Sequence, residues 1–257
     1  MQERHKSCSL SKGKVLIMMA VKAVKKAFEQ FLRETWDDIM LAGMLFIPVI
    51  AGLLFKFGIP ELERFIINYY ELSFFLSPYY VLFDSFLSTV TPLMFSFVSA
   101  MVILGEHDNG LSVYLAVTPL GKGGYLVSRL GVPVAISVLY GIFITAMFSI
   151  TSLSLPEIII LSLMSALLSV PVSMLIVSVS SNKVEGMALA KLSSLMLLGL
   201  PLPFFMDKNT QFLASFLPSF WMGKFVYSGM SVYILIFVAV SLLWTLVLHV
   251  RFIKKIM

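Results

Sequence analysis

Apolar residues in this chain gather in long unbroken runs rather than in stripes, and the runs have the length of membrane crossings. The first, Ile39 to Phe55, carries no charge, and a helix needs about 17 to 25 such residues to cross a bilayer core, so it is expected to cross nearly upright. Further runs cover 79–104, 125–150, 157–179, 187–206 and 230–250. Lipid tolerates only helices and closed barrels, because each backbone polar group must be paired within the protein. The pattern therefore predicts an all-α membrane protein with six transmembrane helices.

Upstream the pattern changes. Ile17, Ala20, Val21, Val24, Phe28, Phe31 and Leu32 recur at helical spacing, with Lys22, Lys25, Lys26, Glu29 and Arg33 on the other faces. This predicts an amphipathic helix lying on the membrane surface, within an N-terminal segment 1–38 that precedes a six-span domain 39–257. The apolar stretch Val15–Val21 is short for a signal-peptide core, so the segment is expected to be retained. A polar connection is expected from Lys56 to Ser77. The segment from Asp207 to Gly229 holds Phe212, Phe216, Phe220 and Trp221 and is expected to dip back into the outer leaflet. Prolines inside the runs, at 48, 92, 133, 171, 201 and 203, predict a kinked bundle whose neighbouring helices satisfy the freed carbonyls.

Composition agrees with the runs and adds an orientation. With 59% hydrophobic residues, 13% charged and a mean hydropathy of +0.95, the chain cannot cover a water-facing surface. Fifteen of its Lys and Arg residues fall on the N-terminus, the second and fourth connections and the C-terminus, against Lys56, Arg64, Lys208 and Lys224 on the other side. Basic residues accumulate on the cytoplasmic side, so both termini are placed in the cytoplasm of a plasma membrane, in a cell expected to be prokaryotic. The net charge of +5 then reflects loops beside anionic lipid rather than nucleic-acid binding. The lone Cys8 excludes an internal disulfide and a cysteine-based metal site.

Candidate chemistry is sparse. The histidines, His5, His107 and His249, are scattered, and neither a nucleophile elbow nor a phosphate-binding loop occurs; Gly121-Lys122-Gly123-Gly124 has the wrong spacing for the latter. No catalytic residue and no metal site are expected, so the chain reads as something other than an enzyme. Asp84, inside the second run, is a candidate for a substrate path or coupling ion, with snorkelling to the outer boundary as the plainer reading. Arg129 and Lys191 lie near the inner boundary and read as anchors whose stems carry the charge to the headgroups.

The second connection is the most informative. Glu106, His107, Asp108, Asn109 and Gly110 open it, Leu111 to Val117 follow with helical periodicity, and Thr118-Pro119 stops it. This predicts a short helix along the inner surface, with its apolar side on the bundle and its polar start facing a cytoplasmic partner.

At these residues the chain resembles the permease subunits of ABC type-2 exporters. Glu106, Asp108, Leu115, Thr118, Pro119, Tyr125, Leu126 and Arg129 match that family's acidic residue after the second span, its coupling helix, its Thr-Pro dipeptide and the opening of its third span. The N-terminal interfacial helix, the fourth connection with Asn182, Lys183 and Glu185, the Pro201 and Pro203 break and Leu217-Pro218 extend the likeness over nearly the whole chain. Leu111 and Val113 depart from the family, which often has Thr and Glu there. The resemblance implies two paired permeases, identical or homologous, and two cytoplasmic ABC ATPase subunits that hold the ATP and magnesium. Glu106, His107, Asp108, Asn109, Gly110, Leu115, Thr118, Pro119, Lys183 and Glu185 would form the ATPase-coupling interface. The expected function is export of an apolar or amphipathic peptide, lipid or drug; an ion-coupled secondary transporter is the alternative.

Overall fold

The computed structural model describes residues 22, 25–71, 74–111, 121–207 and 210–256. Helix α1 covers 25–37. It is followed by the helical runs α2 (Ile39–Tyr70), α3 (Ser77–Asp108), α4 (Gly123–Phe148) and α5 (Leu155–Val179). Then come α6 (Lys183–Ser193), the short α7 (Leu202–Phe205), α8 (Pro218–Ser228) and α9 (Val232–Ile256). No strand occurs among the described residues. Five helices, α2 to α5 and α9, are each long and apolar enough to cross a membrane.

The axis of the bundle is the pair α3 and α5. Of the most apolar stretch of each helix, 72% is buried in α3 and 67% in α5, against 17% in α2 and α9. Lipid offers no hydrophobic drive for helices to associate, so small and weakly polar residues that permit close approach carry the contact. Ser96 Oγ donates to the Ser169 carbonyl at 2.5 Å, and the hydroxyls of Thr89 and Ser165 lie 3.2 Å apart. Two apolar clusters fill the ends. One joins Ala27 and Phe31 of α1 to the last turns of α3 and to Phe252. The other, at the opposite end, centres on Leu82, Leu168, Met222 and Phe237.

Two runs depart from the sequence expectation. The polar connection expected from Lys56 is instead helical, because α2 continues through a π turn at Leu54–Gly58 to Tyr70. Lys56 is accommodated by donating from Nζ to the Met147 carbonyl at 2.6 Å, where the end of α4 leaves carbonyls unpaired and its dipole favours a cation. Glu63, also on this extension, is buried. Its carboxylate accepts the amides of Phe75, Leu76 and Ser77 at 3.4, 3.2 and 2.9 Å and the Tyr80 hydroxyl, so α2 supplies the cap at the start of α3.

The run 187–206 is not one continuous helix. It breaks after Ser193 into a 3₁₀ turn at Ser194–Leu197, a tight turn and α7. Pro201 and Pro203 have no amide to continue the ladder. Close packing fixes the break: a Cβ on Gly199 would collide with Ser219 Oγ and the Phe220 amide, and one on Gly223 with the Leu200 carbonyl. The segment after it turns back on the bundle as α8, burying Phe220 and Met222 completely.

Candidate functional site

At the α1 end of the bundle, three helices meet around two buried charges. The buried face of α1 is Ala27, Phe31 and Thr35, each one turn from the next. The last turn of α3 brings Glu106, 1% exposed, and a π turn at Val127–Gly131 in α4 brings Arg129, fully buried. A π turn inserts an extra residue and re-aims the side chains around it. Arg129 Nε donates to both Glu106 oxygens at 2.9 and 3.0 Å, and Nη2 donates to Oε1. Tyr125, one turn earlier on α4, donates its hydroxyl to Glu106 Oε2 at 2.7 Å. The remaining guanidinium nitrogen, Nη1, donates to the Ala27 carbonyl of α1. The cation also lies 5.9 Å from the ring centroids of Phe31 and Tyr125. A buried ion pair survives desolvation only when its geometry and hydrogen bonds are nearly complete, and this one binds three chain segments into a unit.

A second tie lies beside the first. Asp38 Oδ1 accepts the amides of Met40 and Leu41 at 3.0 and 3.4 Å, capping α2, while Oδ2 accepts from Lys183 Nζ at 2.7 Å. The Lys183 amide in turn donates to Asp108 at 2.9 Å. One lysine thus joins the start of α2, the end of α3 and the start of α6. The hydrogen bond from Lys183, with further help from the α2 amides, holds the Asp38 carboxyl below the usual carboxylate range. Gly186 lets α6 seat on α3, since a Cβ there would lie 2.9 Å from Met101 Cε and collide with Leu104.

These ties border a cleft of about 590 Å³ lined by Glu34, Asp37, Asp38, Glu106, Asn109 and Lys183 over a floor that includes Met101 and Val102. Burial pushes the Glu34 carboxyl above its ordinary value, and the nearby Glu106 carboxylate adds to the rise. Among the described residues, the charges at this end are fixed to one another, Glu106 to Arg129 and Asp38 to Lys183.

Comparison with known proteins then places the chain. Residues 31–252 match the family model described as Fluoroquinolones export permease protein Rv2686c-like. The chain belongs to this family of export permeases. The permease is also 25% identical over 199 residues to the Fluoroquinolones export permease proteins Rv2686c and MT2760 of two Mycobacterium tuberculosis strains, covering 75% of this chain and 77% of each relative.

The permease distributes the sequence-predicted site residues unevenly. His107 is partly exposed and Asp108, Asn109 and Gly110 are exposed, so they face outward from the end of α3. Gly110 adopts φ +70°, a left-handed conformation that ends the helix and favours glycine. Leu115, Thr118 and Pro119, with the rest of the expected coupling helix at 112–120, lie outside the described residues. Glu185 is exposed, and its carboxylate accepts the Ser181 amide at 2.6 Å, which holds it below its ordinary value.

Glu106 and Arg129 correct the sequence reading. Glu106 does not face a cytoplasmic partner; it is turned into the bundle. Arg129 does not snorkel, because an opposite charge, a hydroxyl-bearing ring and the Ala27 carbonyl within reach offset the desolvation that would otherwise drive it to the headgroups. The signal that would have paired them was present: two opposite charges near the same boundary, with Tyr125 one turn from Arg129. Lys191 is exposed. Asp84 is fully buried, and its oxygens accept the Ile150 and Thr151 amides at 2.8 and 2.9 Å and the Thr151 hydroxyl. In this structure it ties α3 to the loop between α4 and α5. Asp38 and Glu34 were invisible as site residues, since each reads alone as an ordinary helix-end carboxylate.

Proposed function

We propose that this permease is the membrane-spanning subunit of an ATP-driven exporter, worked by separate cytoplasmic ABC ATPase subunits that dock under the α1 end of the bundle. The cargo is an apolar or amphipathic molecule of drug size, in keeping with the fluoroquinolone export for which its relatives are named. Two copies of the chain, or one copy and a homologous permease, complete the transporter, and ATP and magnesium belong to the ATPase.

The observation that carries the reading is the knot of Glu106, Arg129 and the Ala27 carbonyl. It makes α1, the end of α3 and the start of α4 move as one body. A push on the exposed residues that follow Glu106 is passed to the inner ends of two crossings rather than absorbed by a loose loop. Asp108 and Lys183 extend the same body to α2 and α6. Closure of the ATPases on nucleotide then becomes a tilt of the spans that opens a path outward.

The test uses the exposed end of α3. Asn109→Arg with Leu111→Asp should abolish capture of the ATPase in mild detergent and ATP-dependent efflux of a fluoroquinolone from proteoliposomes, with the thermal midpoint unchanged. Efflux that runs on a proton gradient without ATP would overturn the proposal in favour of a secondary carrier.

A further inference from the structure

The exposed surface of α1 carries an inference that does not depend on the exporter reading. Its buried face fixes how the helix is rotated on the bundle. Going round from that face, the next stripe is Phe28, Leu32 and Trp36, one turn apart; Leu32 is 37% and Trp36 57% exposed. Beyond it lie the exposed Lys26 and Arg33, with Lys25 within the stripe and loosely paired to Glu29 at 3.9 Å. The acidic residues Glu34 and Asp37 follow, on the side that lines the cleft. The exposed face of α1 thus carries an apolar stripe beside three cations and one carboxylate, Glu29, while Glu34 and Asp37 lie on the cleft side.

The apolar stripe runs without a break into the outward surface of α2. Trp36 packs edge-on against Phe46 with ring centroids 6.4 Å apart, and Ile39, Phe46 and Ile50 are 89%, 54% and 55% exposed. That surface belongs to a helix apolar enough to cross the membrane, so its natural neighbour is lipid. Trp36 stands where the crossing begins, the level at which indole rings prefer to lie between tails and headgroups. The cations beside it are then at headgroup depth.

We infer that α1 is a binding site for anionic phospholipid, with acyl chains along Phe28, Leu32 and Trp36 and the phosphate held by Lys25, Lys26 and Arg33. Charge complementarity selects the lipid: a zwitterionic headgroup brings its own cation to a surface that already has three. Glu34 and Asp37 face away, toward the cleft, and Glu29 offsets one of the three cations, so the exposed face keeps a net positive charge. Because Arg129 holds the Ala27 carbonyl of the same helix, a lipid that draws α1 to the membrane loads the buried knot directly.

The test reads lipid contact rather than transport. The chain has three tryptophans, Trp36, Trp221 and Trp244, so Trp221→Phe with Trp244→Phe leaves Trp36 as the sole reporter. In nanodiscs of phosphatidylcholine, a minor fraction of brominated phosphatidylglycerol should quench Trp36 far more than the same fraction of brominated phosphatidylcholine. Each basic residue near an anionic surface contributes about a fivefold preference, the equivalent of about 1 kcal/mol. Replacing Lys25, Lys26 and Arg33 together by Gln should bring the two lipids close to parity, whereas Lys25→Arg, Lys26→Arg and Arg33→Lys should keep the preference. Equal quenching by both lipids with the native cations in place overturns the inference. So does absence of quenching by either, which would put protein rather than lipid on this face.

Discussion

Replacing Arg129 by Gln tests the knot most sharply. The substitution removes both donations from Nε, that from Nη2 and that to the Ala27 carbonyl, together with two ring contacts at 5.9 Å. Glu106 remains as a carboxylate 1% exposed, with the Tyr125 hydroxyl as its surviving partner. Breaking a buried pair from one side costs about 3 to 5 kcal/mol, because the leftover charge keeps its desolvation penalty without its counterion. At about 2 to 4 °C per kcal/mol for a chain of this size, the thermal midpoint in detergent should fall by about 6 to 20 °C. Removing both charges is the informative control. Glu106→Gln with Arg129→Gln deletes the orphan and should recover most of the loss, giving a coupling energy of about 2 kcal/mol or more in a double-mutant cycle with the two single changes. If Arg129→Gln melts within about 1 kcal/mol of the native protein, or the two changes are additive, the charges are not a buried pair and the rigid-joint argument fails.

Three further outcomes follow from the geometry. The Lys183–Asp38 tie depends on a carboxylate held below its usual range by Lys183, so its stability is fully present above about pH 4 and is lost as acid carries the pH down through the lowered value. Being partly exposed, it should contribute under about 1 kcal/mol, so Lys183→Gln should cost that amount at pH 7 and nothing once the pH is below the lowered value, which flattens that acid limb of a pH–stability profile. Asp84→Asn places an amide group against the Ile150 and Thr151 donors and should cost about 1 to 3 kcal/mol, with faster hydrogen exchange confined to the α4–α5 loop; unchanged exchange would remove the tie from the account. Gly223→Ala drives a methyl into the Leu200 carbonyl and should destabilise by about 1 to 3 kcal/mol in thermal melts, where an ordinary exposed helix glycine would gain stability from alanine.

By itself the sequence determined the class of the protein, because lipid imposes the harshest filter a chain meets: charge-free runs such as 39–55 and 230–250 admit no other reading, and each was found in a helix long enough to cross. It also placed the end of the second run near Glu106, and α3 ends at Asp108. Only the tertiary structure decided which way the charges point. Hydropathy counts a charge as a cost at its position in the chain, whereas the actual cost depends on what another helix brings within 3 Å of it. Lys56 sits inside a helix because Met147 offers a carbonyl, and Glu106 and Arg129 are buried because each is the other's solvent. The broken run at 187–206 has the same origin: its apolar residues satisfy the length rule, and it is the approach of α8 to Gly199 and Leu200 that leaves no room for one straight helix.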